Sequence, residues 1–218
     1  ILFLGYVPPV NTMPDVNVLS QEQPCYPLEL FRCEDCGHVQ IGFNVDPQVL
    51  FPYSYPYLSG TTQVLKDNFA DLYSSCSNTL AFDSSDLIVD IGSNDGTLLS
   101  NFKNNGHRVL GIEPSKACEV ANTNGIETLN LYFGQESASF VKKNYGQAKI
   151  ITAANVFAHI PEPHHIVDSI IDLLDPSGIF VNESHYLLSL LETLQYDTIY
   201  HEHLRYYDLH SLINLLSP

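Results

Sequence analysis

The chain has 218 residues, 44% of them hydrophobic, enough for one good-sized domain and a smaller one around packed cores. Nine Lys and Arg against 25 Asp and Glu leave a formal net charge of −16, the wrong sign for a nucleic-acid or anionic-membrane binder. No apolar run approaches the roughly 20 residues of a membrane-spanning helix. The five cysteines (Cys25, Cys33, Cys36, Cys76 and Cys118) are odd in number and sparse, which argues against a secreted disulfide framework and for a reducing, cytoplasmic setting. The sequence starts at Ile1 and stops at Pro218 directly after an amphipathic run, so both ends read as cut.

Residues 1–30 are rich in Pro, Asn and Val and read as irregular chain with short strands. Cys33-Glu34-Asp35-Cys36-Gly37 follows, between two short β-type runs. Two thiolates on one tight turn can reach the same tetrahedral ion, so Cys33 and Cys36 form half of a structural zinc site. Cys25 and His38 are the nearby candidates for completing it, without the usual paired spacing; a redox pair or two free thiols are the alternatives. In Phe51-Pro52-Tyr53-Ser54-Tyr55-Pro56-Tyr57-Leu58-Ser59-Gly60 the prolines exclude a helix. An extended segment would put Tyr53, Tyr55 and Tyr57 on one side, either as a packed linker or as a substrate-facing lid. Thr61 or Thr62 can cap the helix expected over Gln63 to Ser77, whose apolar positions Val64, Leu65, Phe69, Leu72 and Tyr73 recur at helical spacing.

From Leu87 the pattern alternates. Strands are predicted near Leu87–Gly92, Arg108–Glu113, Ile126–Leu131, Lys149–Val156 and Gly178–Ser184, with helices between them at Gly96–Asn104, Lys116–Asn124, Gln135–Tyr145 and His164–Leu174. Such alternation gives a parallel sheet with helices on both faces, and ligands bind at the carboxyl ends of its strands near the switch point. Asp90-Ile91-Gly92-Ser93-Asn94-Asp95-Gly96 reads as strand, glycine turn and helix start: either a nucleoside-cofactor loop or an ordinary strand-to-helix turn. Glu113 lies 21 residues after Gly92 (113 − 92), about the offset of the acid that accepts from ribose hydroxyls. The fourth strand ends at Asn155-Val156-Phe157-Ala158-His159, with His159 as a site residue or a packed turn histidine.

The loop lacks the Gly-x-Gly-x-x-Gly spacing of a dinucleotide site. Asp90, Asn94 and Asp95 would repel a pyrophosphate and suit a cationic cofactor without phosphates, S-adenosylmethionine. Further on, Tyr200-His201-Glu202-His203 gathers titratable groups. A histidine beside a carboxylate can take a proton, and a tyrosine can donate to a developing oxyanion; a structural polar cluster and a His-x-His metal pair are the other readings.

Taken together, Cys33-x-x-Cys36-Gly37, Tyr55-Pro56-Tyr57-Leu58-Ser59-Gly60, Val89–Leu99, Gly111-Ile112-Glu113-Pro114-Ser115, Ala154–Ile160 and Tyr200–His203 resemble the sugar C-methyltransferases that act on nucleotide-linked keto-deoxysugars. The resemblance covers nearly the whole chain. It implies an α/β protein with a Rossmann-like class I methyltransferase sheet, incomplete here, after a small N-terminal zinc-ribbon-like domain. The expected division is residues 1–60 for the zinc-binding part and tyrosine-rich linker and 61–218 for the methyltransferase domain. The family's other cysteine pair, final two strands and C-terminal domain are missing. By the resemblance, Asp90, Gly92, Asn94, Asp95, Gly96, Glu113 and Asn155 hold S-adenosylmethionine, and Cys33 and Cys36 hold zinc. His203, supported by Glu202, removes the proton beside the keto group of a nucleotide-sugar substrate, and Tyr200 and Tyr57 steady the enolate. An NAD-dependent nucleotide-sugar oxidoreductase or epimerase, and a non-catalytic binding module on a degenerate methyltransferase fold, are the competing expectations.

Overall fold

A computed structural model describes residues 2–13, 16–19 and 21–217. In chain order the elements are β1 (Leu2–Val7), β2 (Tyr26–Arg32), β3 (Val39–Ile41), α1 (Pro47–Leu50), α2 (Gln63–Thr79), β4 (Leu87–Ile91), α3 (Thr97–Asn104) and β5 (Arg108–Ile112). There follow α4 (Ala117–Thr123), β6 (Thr128–Leu129), α5 (Gln135–Asn144), β7 (Ala148–Ala154), α6 (Pro163–Leu173), β8 (Leu174–Glu183), α7 (Leu187–Glu192), β9 (Arg205–Tyr206) and α8 (Leu209–Leu216). They fall into two compact units: Tyr53–Val156 with His164–Glu183, and Ile1–Pro52 with Phe157–Pro163 and Ser184–Pro218.

The first of these units is the expected Rossmann-like sheet. Among the described residues its strand order is β6-β5-β4-β7-β8, every neighbouring pair parallel. The chain runs outward from β4 through β5 and β6, then returns to β7 beside β4, so the order reverses between β4 and β7. β4 reads Leu-Ile-Val-Asp-Ile and is buried along its whole length, the near-continuous apolar run of a strand covered on both faces. Ile88 and Ile150 from the sheet meet Phe69, Cys76, Leu98, Leu99 and Phe102 from α2 and α3, with Leu65, Leu72 and Tyr73 packed around them. Of the apolar positions read along Gln63–Ser77, Leu65, Phe69, Leu72 and Tyr73 enter this cluster, whereas Val64 is 81% exposed; each large side chain so buried contributes about 1.5–3 kcal/mol.

Local expectations fail at two places. Thr62 precedes α2 without a side-chain capping bond, and Thr61 Oγ1 instead donates to the Leu58 carbonyl at 2.8 Å. The tyrosine segment is not an extended run: Tyr53 and Tyr57 are 50% and 48% exposed, whereas Tyr55 is half-buried. Its backbone is bent where the Tyr53 carbonyl accepts from Lys116 N at 2.7 Å and the Tyr53 hydroxyl donates to Glu119.

The other unit is an antiparallel sheet in the order β1-β2-β3-β9. β2 and β3 are joined by the cysteine turn: Cys33 N donates to the His38 carbonyl at 2.8 Å and Gly37 N to the Cys33 carbonyl at 3.1 Å. β9 covers the edge of β3, pairing Tyr206 with Val39 and Arg205 with Gln40, and Leu28, Ile41, Leu204 and Tyr206 form the core. By contacts, residues 184–218 group with the N-terminal segment rather than with the parallel sheet. A sheet edge left unpaired is a liability, and a strand from residues 184–218 satisfies it, so the late segment clusters with the N-terminal one.

Gly111 on β5 is fixed by space. A Cβ there would lie 2.3 Å from Ser93 Oγ and 2.6 Å from Thr128 Oγ1. Gly111→Ala is therefore expected to lower stability by about 1–3 kcal/mol, read as a shift of the urea midpoint with unchanged slope. A midpoint equal to that of the parent would show that the loop after β4 gives way freely.

Candidate active site

The carboxyl ends of β4, β5 and β7 lie side by side, because Asp90 pairs with Gly111 and with Thr152 in parallel register. Each end is followed by a residue singled out from the sequence: Gly92, Glu113 and Asn155. The loop after β4 uses left-handed backbone at Gly92 (φ +65°), Asn94 (φ +51°) and Gly96 (φ +79°). At Gly92 a side chain is also barred by packing, since its Cβ would fall 2.5 Å from Val156 Cγ2.

Glu113 is 6% exposed and bridges two loops. Its Oε2 accepts from Asn94 N at 3.0 Å and its Oε1 from Ser115 N at 2.8 Å. Each oxygen keeps a second lone pair. Asp90 is buried in β4 and accepts from Thr152 Oγ1 at 2.6 Å. Burial pushes its carboxyl up to about 7; the Thr152 bond opposes this and the Glu113 charge adds to it. Asn155, exposed and with φ +57°, donates from Nδ2 to Glu183 Oε1 at 3.0 Å and from its backbone N to the Glu183 carbonyl at 2.7 Å. Glu183 Oε2 in turn accepts from Asn68 Nδ2 at 2.8 Å.

The side chains of Asn94 and Asp95 turn toward the tyrosine segment of the same unit. Asn94 Oδ1 accepts from Ser59 N at 2.9 Å, Asn94 Nδ2 donates to the Tyr57 carbonyl at 3.0 Å, and Asp95 Oδ2 accepts from Gly60 N at 2.8 Å. The acidic residues of the loop thus do not form an open acidic lining: Asp90 and Asp95 are buried and bonded to the protein itself. What sets the loop apart from a dinucleotide site is steric. Asn94 stands where the second glycine would admit a pyrophosphate, and its amide is occupied by the tyrosine segment.

In the other unit, His203 is oriented by its neighbours. Its Nδ1 lies 2.8 Å from the Thr198 carbonyl and its Nε2 3.0 Å from the Tyr200 hydroxyl. A carbonyl only accepts, so Nδ1 carries the proton and Nε2 presents the lone pair to the phenol. Burial, with the neighbouring His159, lowers His203 to about 3; the Thr198 bond opposes this, and His185 adds to it. The rings of His185 and His159 lie 4.5 and 5.1 Å from that of His203. Glu202, 2% exposed, accepts from Asn11 Nδ2 at 2.6 Å through Oε1, and its carbonyl meets His159 Nδ1 at 2.7 Å. The Thr198 carbonyl thus takes the ring-holding part that the sequence argument gave to Glu202. His201 turns away into the core, 1% exposed, with Nε2 3.3 Å from the Pro27 carbonyl. Among the described residues no group of three or more His, Cys, Asp or Glu is arranged to hold a metal, and the rings of His201 and His203 meet different partners, the Pro27 and Thr198 carbonyls.

Cys33 and Cys36 are free, half-buried thiols on the β2–β3 turn. Backbone hydrogen bonds from Cys36 and Asp35, and the Cys36 side chain, hold the Cys33 thiol below the ordinary range, the state a metal-binding sulfur needs. His38 is packed on Tyr207 at 5.0 Å between ring centres and is held down to about 4 by burial and the Arg205 charge. The donor set present is therefore two thiols, which fits half of a tetrahedral zinc shell.

Thr152, Thr198 and His185 escaped the sequence reading. Nothing in a threonine or a lone Glu-Ser-His-Tyr marks it; only the sheet register and the folded turn bring them to Asp90 and His203.

Residues 65–217 match a family model described as a methyltransferase domain, and residues 1–51 match one described as "Putative zinc binding domain". Over 205 residues the chain is 34% identical to the C-methyltransferase NovU of Streptomyces niveus, covering 91% of this chain and 49% of NovU. The chain spans about half or less of the length of the curated relatives it matches. Its fold is similar to that of a SAM-dependent methyltransferase from Anabaena variabilis (TM-score 0.51, 23% identity, 67% of this chain and 69% of that one). It is similar also to the plantazolicin methyltransferase BamL, solved in complex with a triazolic desmethylPZN analogue and SAH (TM-score 0.53, 17% identity, 69% of this chain and 59% of that one).

The raised Asp90 pKa has a consequence for stability. A carboxyl that prefers its neutral form when folded stabilises fully below its unfolded value of 3.8, and that contribution is lost as pH rises through about 7. Asp90→Asn is expected to flatten the stability–pH slope across this window and to gain about 1–2 kcal/mol over the parent at pH 8. Urea titrations at pH 5 and pH 8 read it, and an unchanged slope would mean that Asp90 is ionised at both.

Proposed function

We propose that this chain, which belongs to the family of methyltransferase-domain proteins, is an S-adenosylmethionine-dependent enzyme that methylates a carbon of a nucleotide-linked keto-sugar through an enolate. The observation that carries the reading is the pairing of His203 Nε2 with the Tyr200 hydroxyl, a base and an oxyanion donor 3.0 Å apart, in a chain whose sheet presents Gly92, Glu113 and Asn155 at adjacent strand ends. The identity to a C-methyltransferase over 91% of the chain supports carbon as the acceptor atom.

S-adenosylmethionine fits the residues present: it has no phosphate to pass Asn94, and when bound it supplies an electrophilic methyl group on a sulfonium. Glu113 has lone pairs left for ribose hydroxyls. The loop backbone at Gly92 and Gly96, and Asn155 at the end of β7, complete the donor side, while Asp90 supports the loop from beneath. On the acceptor side, His203 Nε2 takes the proton from the carbon next to the keto group. Tyr200, released from Nε2 as that nitrogen is protonated, donates to the enolate oxygen. Burial makes the imidazolium costly in the resting site, and the enolate's negative charge offsets that cost where the proton lands. Tyr57 is the second phenol assigned to the oxyanion. Cys33 and Cys36 would hold a structural zinc as two of its four ligands.

Incubation of the full-length protein with S-adenosylmethionine and a panel of nucleotide keto-sugars, followed by mass spectrometry, should show one sugar gaining a methyl group on carbon. Co-purification of a nicotinamide cofactor, with no methyl transfer to any sugar, would favour the oxidoreductase or epimerase reading instead. His203→Ala should lower the rate by about 10²–10⁴-fold; a variant as active as the parent would remove the base. Because the active form is the neutral imidazole and its pKa is depressed to about 3, the acid limb of kcat/KM should fall well below pH 6. A limb near 6.5 would show a solvated histidine.

A further inference from the structure

Asn94 and Asp95 lie on the loop that receives the methyl donor, yet their polar atoms are taken up elsewhere. Asn94 Oδ1 accepts from both Ser59 N and Asp95 N at 2.9 Å, and its Nδ2 donates to the Tyr57 carbonyl. Asp95 Oδ2 accepts from Gly60 N, while Oδ1 accepts from Thr97 Oγ1 at 2.6 Å and Thr97 N at 3.2 Å. The fit is close enough to require glycine at position 60, where a Cβ would lie 2.8 Å from Thr97 Oγ1 and 2.9 Å from Asp95 Oδ2. Both side chains are buried, at 9% and 8% exposure. Asn94 also sits at φ +51°, a conformation that costs a non-glycine residue of order 1 kcal/mol and is retained where the surroundings demand it. The Tyr57 ring is 48% exposed although its backbone is pinned. The phenol hydrogen-bonds the Ser59 side chain of the same pinned segment, so the fixed main chain also fixes the direction of the phenol.

We propose that Asn94 and Asp95 are positioning residues for Tyr57: they clip residues 57–60 to the donor loop, so that the loop which receives the methyl donor also sets the phenol offered to the acceptor. This rests on the methyltransferase reading. It assigns the two side chains to the acceptor half of the reaction, whereas their place in the loop would suggest cofactor ligands.

Two substitutions break the clip from opposite sides. Asn94→Ala removes it from the loop. Ser59→Pro removes the Ser59 N–H from the segment and leaves the donor loop untouched; Leu58 is already extended (φ −125°, ψ 125°), as the residue before a proline must be. Ser59→Ala keeps the Ser59 N–H bonded to Asn94 and removes only the hydroxyl that meets the Tyr57 phenol, which separates the two contributions. In the full chain, amide exchange at Gly60 should quicken at least tenfold in both Asn94→Ala and Ser59→Pro, and at Ser59 in Asn94→Ala. The SAH dissociation constant, measured by calorimetry, should stay within about threefold of the parent. With the acceptor found in the sugar panel, both variants should lose at least tenfold in kcat, with KM for S-adenosylmethionine unchanged, and Ser59→Ala should stay closer to the parent. A tenfold loss of SAH affinity in Asn94→Ala with exchange unaltered would make Asn94 a cofactor ligand and overturn the proposal. Faster exchange with parental kcat in both variants would overturn it equally, leaving a clip without a catalytic part. Failure of the parent protein to bind SAH at all is a separate result, and it strikes the methyltransferase reading itself.

Discussion

The carboxylate of Glu113 is the interaction on which the donor side of this protein turns. It follows β5, is almost fully buried, and takes one backbone amide from the loop after β4 and another from the turn into α4. Without it, the Asn94 and Ser115 amides would each be buried without an acceptor at the point where the sheet reverses direction. A buried unpaired amide costs of order 1–3 kcal/mol, so one side chain decides whether the three strand ends present an ordered crevice. The positive φ values at Gly92 and Asn94, the close contact of Gly111 with Ser93, and the clip on residues 57–60 all presuppose the loop conformation that Glu113 holds.

The titratable groups divide by how they are buried. Asp90 is pushed up to about 7 by burial, with a single strong hydrogen bond from Thr152 against it. His38, His185, His201 and His203 of the other unit are driven the opposite way, each first by burial. His203 is held neutral by burial and by two neighbouring imidazoles, and the Thr198 carbonyl fixes which nitrogen carries the proton. A buried neutral histidine whose lone pair already meets a phenol is poised to receive a proton when a negative charge appears beside it. That is the logic of a base whose strength is set by its reaction partner rather than by solvent.

Much of the architecture could be read from the chain alone, and the reason is periodicity. Leu87–Ile91 and Arg108–Ile112 announce buried strands by composition and Gly92 and Gly96 a turn by conformational need, because strand, turn and helix preferences are local. Glu113 was legible as the acid at the end of the second strand of the alternation. What could not be read depends on residues far apart in sequence. Pairing of the two-residue β9 with β3 joins Arg205 to Gln40, and no pattern in so short a strand foretells it. Side-chain direction was illegible too. Asn94 and Asp95 belong to the loop by sequence, but only the fold shows that their hydrogen bonds go to Ser59, Gly60 and Tyr57. The same holds for His203, where an adjacent glutamate was the natural partner on paper and a backbone carbonyl five residues away took the place.

The most direct measurement of the central claim is calorimetric titration of SAH into the full chain and into its Glu113→Ala variant. If β4, β5 and β7 present a methyl-donor site, the parent binds one SAH per chain and the variant binds at least tenfold more weakly. Equal affinity in the two, or binding of a nicotinamide dinucleotide in place of SAH, would contradict the account.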